Sequence, residues 1–391
     1  MKRALLGCAV GGIALAAALA GAAQSALAAC GPFTDVAPDV FCRFVLEIFY
    51  LGITTGTTPT TYDPSSNVSR LQMAAFLSRT VDGALRRGSR RAALDQFWTP
   101  QNQTVLGLTT LPAGSQWVQS DGKDLWVASL TATSIARVRG SDGKLLETWT
   151  GAASVEMPLV AMGRVFAAAF TSPNGKLYRL DPSQPAGSVT TVASDLGDRS
   201  TGIAFDGGRI WTANFGGGAN GSVSIVTPGA TLPWTTTTVT DGFTSVYAAI
   251  FDGSNVWVTD VGANRLFRLD SNGVILQTVT TGSAPHLPAF DGSNIWVPSS
   301  GGVVTVVRAS TGAILSTLTG NGISISYGAA FDGERILVTN LYDDRVSLFK
   351  AADLSPLGFV STGASSNPLG ACADGVNFWI VLAAGQRLAR F

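Results

Sequence analysis

The chain has 391 residues, of which 46% are hydrophobic and 13% charged, and its formal net charge at pH 7 is zero. This length allows one large repeat domain and a smaller one, and the balanced charge excludes nucleic acid as an expected partner. One histidine rules out a multi-histidine metal site, and we predict neither a metal nor a cofactor.

Residues 1–29 have the pattern of a signal peptide. The positive start Met1-Lys2-Arg3 precedes an apolar stretch, Leu5–Ala23, and the small-x-small sequence Ala26-Leu27-Ala28. This order is typical of secretory signals. We therefore predict an exported bacterial protein that is located at the cell surface, in the periplasm or outside the cell.

The cysteines after this segment allow two interpretations. Cys30 follows Leu27-Ala28-Ala29 as in a bacterial lipobox, whose cysteine carries a lipid anchor. A disulfide between Cys30 and Cys42 is the alternative, and it suits an oxidising compartment. The two exclude each other at Cys30. Cys372 lies in an apolar run, which predicts a buried small hydrophobe rather than a nucleophile.

Residues 30–80 predict a small helical module. The sequence F-T-D-V at Phe33–Val36 precedes an amphipathic stretch at Phe41–Tyr50 and a helical run at Ser69–Arg79. Ser69 and Gln72 have the spacing of a capping box, in which each side chain binds a backbone amide of the other. A helical, basic linker is expected at 81–101, with its arginines between residues 86 and 91 facing solvent or an anionic polymer.

The order of these elements resembles an S-layer homology unit. That family has an F-x-D-V opening, a helix, G-I-x-x-G (here residues 52–56), an aromatic-x-P turn (62–64) and I-T-R-A-E, where this chain has V-S-R-L-Q at Val68–Gln72. The resemblance implies contact with cell-wall polysaccharide or another envelope component. Arg70 matches the motif arginine, whose guanidinium can grip an anionic sugar substituent. Family members usually pack three units, so the single copy here suggests self-association through this unit.

From residue 102 to 391 the chain repeats a phrase of the form F-D-G-x-x-I/V-W-V-T. The aspartates Asp206, Asp252, Asp291, Asp332 and Asp374 of this phrase are 46, 39, 41 and 42 residues apart. A period near 40 with strand-like content predicts a β-propeller with one repeat per four-stranded blade. Seven copies of the phrase predict seven blades in a mainly β fold.

One repeat shows the expected strands: Ser245–Phe251, Asn255–Asp260, Arg265–Leu269 and Val274–Thr281. The Asp-Gly pairs are interpreted as turns, and the recurring tryptophans as packing between blades. The last repeat lacks a fourth strand, and the segment 104–110 has strand character. We expect this segment to complete the last blade and close the ring, which removes exposed edge strands.

The sequence V-T-N…V-S-L at Val338–Leu348, with T-G-x-x-x-x-P at Thr362–Pro368, resembles YVTN-type surface propellers. The resemblance implies an extracytoplasmic seven-bladed propeller that serves in binding or in a surface layer. Some proteins of the same fold are lyases, so fold alone does not decide activity.

One position of the repeat predicts a ligand site. Four residues before the phrase's phenylalanine, at the expected mouth of the central channel, stand Gln116, Glu156, Thr201, Tyr247, His286, Tyr327 and Leu369. Three of them, Tyr247, His286 and Tyr327, fall on successive blades and offer rings that can stack on a sugar or other small ligand. The alternative is that they line a water-filled channel without function. Glu156 is the only carboxylate in the set, and one carboxylate does not make an acid–base pair.

These observations predict a non-enzymatic envelope protein with no catalytic residues. The helical module contacts cell-wall polymer and the propeller acts as a binding or interaction scaffold. The alternative is a propeller lyase or hydrolase that acts on a polysaccharide or lactone at the channel mouth and depends on His286.

Overall fold

A computed structural model describes residues 30, 32–37, 39, 41–50, 53–88, 108–218, 220–375 and 377–391. The chain separates into two compact units, on either side of residue 92. Three predicted segments lie outside the described residues: the signal peptide, the part of the linker after residue 88, and residues 104–107. The predicted limits of the domains remain predictions.

The first unit contains two helices, α1 (Cys42–Tyr50) and α2 (Arg70–Gly88). The capping box at the start of α2 is confirmed: the Ser69 amide donates to Gln72 Oε1 at 2.8 Å, and the Gln72 amide donates to Ser69 Oγ at 3.2 Å. Helix α2 ends nine residues beyond Arg79, where the predicted run ended, and so continues into the segment that was expected as a helical linker. Gly83 does not end it because glycine inside a helix costs only about 1 kcal/mol.

A small aromatic core holds this unit together. Phe33 is buried, and its ring centroid lies 5.1 Å from that of Phe49 and 5.5 Å from that of Tyr62. Asp35, the acidic residue of F-T-D-V, accepts hydrogen bonds from the amides of Tyr62 and Asp63. These bonds lower the pKa of the Asp35 carboxyl. The F-x-D-V sequence therefore fixes the opening of the unit against the aromatic-x-P turn.

The second unit, within residues 108–391, consists of seven antiparallel four-stranded sheets, as predicted. The first strand of each sheet contacts the first strands of its two neighbours, so the seven first strands form a closed ring around the centre of a propeller. These inner strands are β2 (Ser115–Ser120), β6 (Val155–Ala161), β10 (Ser200–Phe205), β14 (Val246–Phe251), β18 (Ala289–Phe290), β22 (Ser326–Phe331) and β26 (Pro368–Ala373).

The three further strands of each blade follow outward in chain order. The second strands are β3 (Asp124–Ser129), β7 (Arg164–Ala169), β11 (Ile210–Asn214), β15 (Val256–Asp260), β19 (Asn294–Ser299), β23 (Arg335–Asn340) and β27 (Phe378–Leu382). The third strands are β4 (Ser134–Arg139), β8 (Gly175–Leu180), β12 (Ser222–Thr227), β16 (Arg265–Leu269), β20 (Val303–Arg308), β24 (Arg345–Lys350) and β28 (Arg387–Arg390). The outer strands are β5 (Leu145–Thr150), β9 (Thr190–Leu196), β13 (Thr235–Val239), β17 (Ile275–Thr280), β21 (Ile314–Leu318), β25 (Pro356–Ser361) and, for the last blade, β1 (Leu108–Thr110).

The ring closes as expected from the sequence. Strand β1 pairs antiparallel with β28, with Leu108 opposite Ala389, Thr109 opposite Leu388 and Thr110 opposite Arg387. The last blade thus joins the beginning and the end of the propeller sequence.

The tryptophans of the repeated phrase are buried between blades, as predicted. Trp126 packs with Val155 and Val165 of the second blade, and Trp257 packs with Ile295 and Val297 of the fifth. Full burial of a large aromatic side chain contributes about 3 kcal/mol of transfer free energy. The repeated phrase therefore joins each blade to the next.

The aspartate of the phrase has a second role that the sequence analysis did not assign. In five blades its Oδ2 accepts a hydrogen bond of 2.7–2.9 Å from the indole N–H of the tryptophan five residues later, in the pairs Asp121–Trp126, Asp206–Trp211, Asp252–Trp257, Asp291–Trp296 and Asp374–Trp379. Its Oδ1 caps the turn, for example by accepting from the amides of Ser254 and Asn255. The carboxylate satisfies an indole that would otherwise be buried without a partner.

Candidate functional site

The residues predicted at the channel mouth occupy a β-bulge in each blade. Val246 pairs with Asp260 and Ala248 with Thr259, so Tyr247 is an extra residue on the inner strand. The pairing of β2, β6, β10, β22 and β26 shifts at the same point. A bulge interrupts the alternation of side chains and redirects one of them. We call this set the bulge ring: Gln116, Glu156, Thr201, Tyr247, His286, Tyr327 and Leu369.

The fifth blade reaches the same geometry differently. Pro285 bridges to Ser299, and pairing resumes at Ala289 opposite Trp296. Three residues of the inner segment, 286–288, therefore lie opposite two residues of β19, 297 and 298. His286 belongs to this irregular segment. Pro288 has no amide hydrogen to donate to a ladder, which accounts for the short strand β18.

The structure brings the three predicted aromatic residues together. The His286 ring stacks on Tyr327 with centroids 4.0 Å apart and meets the edge of Tyr247 at 4.9 Å. His286 Nε2 lies 2.7 Å from Ser300 Oγ, which also contacts the Tyr327 hydroxyl. Burial lowers the pKa of His286 from 6.5 to about 4, so the ring is neutral at physiological pH.

Trp117 and Glu156 join this cluster. The Trp117 ring lies 6.3 Å from that of Tyr247. Burial, together with the charge of Glu156, raises the pKa of the Tyr247 hydroxyl. Burial raises the pKa of Glu156 itself from 4.5 to about 7. One continuous hydrophobic cluster contains residues of all seven blades, among them Trp117, Tyr247, Tyr327 and Leu369, which places these side chains at the centre of the propeller.

Trp117 was not singled out from the sequence, although a signal was present. It follows directly on a bulge-ring residue, and three other blades have glycine at that place: Gly202, Gly328 and Gly370. A Cβ on Gly370 would lie 2.9 Å from Cε3 of Trp117, and one on Gly328 would lie 3.5 Å from Cζ3. The indole therefore fits over two glycines of other blades.

The described residues contain no group of three His, Cys, Asp or Glu side chains arranged to hold a metal ion. Cys372 is buried, as its apolar surroundings predicted, and burial raises the pKa of its thiol. At the bulge ring the ionisable groups are a neutral imidazole, one carboxylate and two tyrosines. This set suits hydrogen bonding and ring contacts with a ligand.

A second candidate site is a cleft of about 370 Å³ in the first unit. It is lined by residues of the G-I-x-x-G and aromatic-x-P segments and of α2, including Thr54, Tyr62, Gln72 and Arg79. Arg79 Nη1 donates to the Ile53 carbonyl at 3.2 Å. Arg70, the predicted ligand residue, is exposed at the first position of α2 and does not line the cleft.

Cys30 and Cys42 are joined by a disulfide, which fixes the start of the unit to α1. Among the described helices, none combines the length and the apolar character needed to cross a membrane.

The sequence model of the S-layer homology domain matches residues 32–74. No curated protein matches the chain. A streptogramin B lyase structure has a TM-score of 0.61 and 16% identity, covering 74% of this chain and 98% of the lyase chain. A Kuenenia stuttgartiensis hydrazine synthase chain has a TM-score of 0.60 and 16% identity, covering 72% of this chain and 96% of the synthase chain. The WD40 propeller domain of Doa1 has a TM-score of 0.58 and 13% identity, covering 73% and 96%. At these identities the similarity concerns the propeller fold alone.

Proposed function

We propose that this chain, which carries an S-layer homology domain at residues 32–74 ahead of a seven-bladed propeller, is an exported bacterial protein held at the cell envelope by its first unit. The domain match indicates association with the cell surface or envelope, and it carries the proposal. Contact with cell-wall polysaccharide is the specific part of the proposal.

The geometry of the first unit supports such contact at two places. Arg70 is exposed at the start of α2, where the helix dipole also favours an anion. A guanidinium binds carboxylate or phosphate substituents of a polymer with paired hydrogen bonds. The cleft beside Thr54, Tyr62 and Arg79 offers hydroxyls and an aromatic ring to a neutral sugar.

In this proposal the propeller is a non-enzymatic scaffold that presents a binding face to the outside. One neutral imidazole and one buried carboxylate at the bulge ring support binding rather than acid–base catalysis, which needs a matched pair.

The proposal is tested by co-sedimentation of the full chain, without its predicted signal peptide, with purified cell walls. We expect Arg70→Ala to weaken binding about tenfold, since a charge-assisted hydrogen bond contributes roughly 1.5 kcal/mol. Arg308→Ala, which removes an exposed arginine from the propeller, is the matched control and should bind as the original does. Equal binding of both variants would remove Arg70 from the proposal, and no sedimentation of the original chain would refute wall contact.

A further inference from the structure

Three buried polar atoms on three blades at the centre of the propeller have no hydrogen-bond partner among the residues that the structure describes: Trp117 Nε1, Glu156 Oε2 and His286 Nδ1. Their side chains are 1%, 8% and 7% exposed. Buried polar atoms in folded proteins are nearly always paired, so three such atoms around one ring offer hydrogen-bonding positions to a bound molecule.

The three side chains surround the same ring. Tyr247 contacts Trp117 on one side and His286 on the other, and its hydroxyl is close enough to Glu156 for the carboxylate charge to act on it. Tyr327 continues the cluster beyond His286. The tyrosine rings are only partly buried, so the cluster has open surface beside its buried carboxylate.

No described strand packed against Glu156 provides a positive counter-charge. Strand β6 contacts β2, β3, β7 and β10, whose only charged residues are Asp124 and Arg164. Arg164 pairs with Ala161 at the opposite end of β6 and forms an ion pair with Asp181 at 3.0 Å. Asp124, at the corresponding far end of β3, is paired with Arg137. On the seven inner strands, Glu156 is the only charged residue.

Asp260 is a second buried carboxylate at the bulge end of a blade, on the second strand of the fourth blade opposite Val246. Its oxygens accept hydrogen bonds from the amides of Thr244, Ser245 and Ala263. It is therefore satisfied by the backbone and adds negative charge to this end of the blade. The electrostatic environment of the bulge ring favours a cation.

We propose that the centre of the bulge ring binds a small protonated amine that carries a neighbouring oxygen, such as an amino alcohol or amino sugar, between Glu156, His286 and the aromatic rings. The ammonium group donates to Glu156 Oε2 and His286 Nδ1, and the oxygen accepts from Trp117 Nε1. The rings of Tyr247 and Tyr327 add cation–π attraction. An organic cation suits this site better than a metal ion because rings, rather than three or more ligand atoms, surround the charge.

The test is calorimetric titration of the full chain at pH 8 with ethanolamine and with glucosamine. Each amine is compared with the neutral alcohol of the same size, ethylene glycol for ethanolamine and glucose for glucosamine, in which a hydroxyl replaces the ammonium group. We expect at least one amine to bind about tenfold more tightly than its neutral counterpart. Equal binding of an amine and its neutral counterpart, or no binding of either amine, would overturn the proposal.

Glu156→Gln identifies the site, because it removes the charge and keeps the shape. We expect this variant to lose amine binding about tenfold or more, while Glu334→Gln, at an exposed turn position, keeps it. Protonation of Glu156 should also weaken binding in the original chain when the pH falls from 8 to 5.5. An unchanged affinity in Glu156→Gln, with native circular dichroism, would show that the amine binds elsewhere and would refute the proposal.

Discussion

Burial shifts the pKa values of Glu156 and His286 in opposite directions. The pKa of Glu156 rises from 4.5 to about 7, and that of His286 falls from 6.5 to about 4. Between pH 4.5 and 6.5 the pair therefore holds one proton in either state, on His286 when unfolded and on Glu156 when folded. Folding takes up no net proton in this range, so the pair makes stability nearly independent of pH there.

Glu156→Gln should separate the two effects. A carboxyl with a raised pKa contributes stability that is present below pH 4.5 and is lost as the pH rises through about 7. The variant should match the original below pH 4.5 and exceed its free energy of unfolding by roughly 3 kcal/mol above pH 7, at about 1.4 kcal/mol per pKa unit. It should also become less stable as the pH falls from 6.5 to 4, because only His286 then titrates.

Urea unfolding of both chains from pH 4 to 8, without amines, measures these differences. Glu334→Gln should leave the pH profile unchanged. A difference between Glu156→Gln and the original that is constant with pH would mean that Glu156 titrates normally and is not buried as described.

The sequence identified the seven residues of the bulge ring as one repeated position, because each stands four residues before the first residue of the phrase. It did not predict the bulges that they occupy. It did not predict which of them matter electrostatically. The isolation of Glu156 depends on which strands pack against β6 and at which end their charges lie. That information arises only when consecutive repeats are packed against each other.

The second strands of the blades also contain a contact that the sequence did not predict. The Asp-Gly turn and the alternating strand could be predicted locally, but the indole hydrogen bond needs the turn and strand in three dimensions. The two blades that lack the tryptophan support the importance of this hydrogen bond. The second blade has Phe166 and no aspartate at Ala161, while the sixth has Leu337 and an Asp332 that pairs with Arg335 at 3.2 Å. The aspartate is thus present in the blades where an indole N–H or an arginine side chain donates to it, and absent from the second blade.

Helix α2 leaves apolar side chains in water. Met73 and Leu77 lie one turn apart and are 47% and 59% exposed. We propose that this face supports the self-association suggested by the single S-layer homology unit, since neighbouring copies would cover it. The full chain should then have a solution mass above that of a 40.4 kDa monomer.

Met73→Gln together with Leu77→Gln should return the chain to a monomer in light scattering, with unchanged far-ultraviolet circular dichroism. Leu145→Gln together with Leu276→Gln, which changes exposed leucines on the propeller, is the control and should keep the larger mass. A monomeric original chain would contradict self-association at the concentrations measured.

For the whole molecule, the period of the repeat determined both the number of blades and the need for a closing strand. That strand is short, with three residue pairs between β1 and β28. Its contribution can be measured by comparing a chain that begins at residue 93 with one that begins at residue 111. The shorter chain exposes the edge of β28, so we expect a melting temperature lower by roughly 5 °C or more and aggregation on heating. Equal melting curves would show that β1 does not stabilise the ring.

The position of β1 also determines how the protein would respond to force. If the first unit is attached to the wall and something bound to the propeller is pulled by flow, tension passes along the chain into β1 before any other strand. Three residue pairs then carry that load, while the remaining six blades keep their own four strands. The last blade would open first under tension, and it could close again once the load is removed.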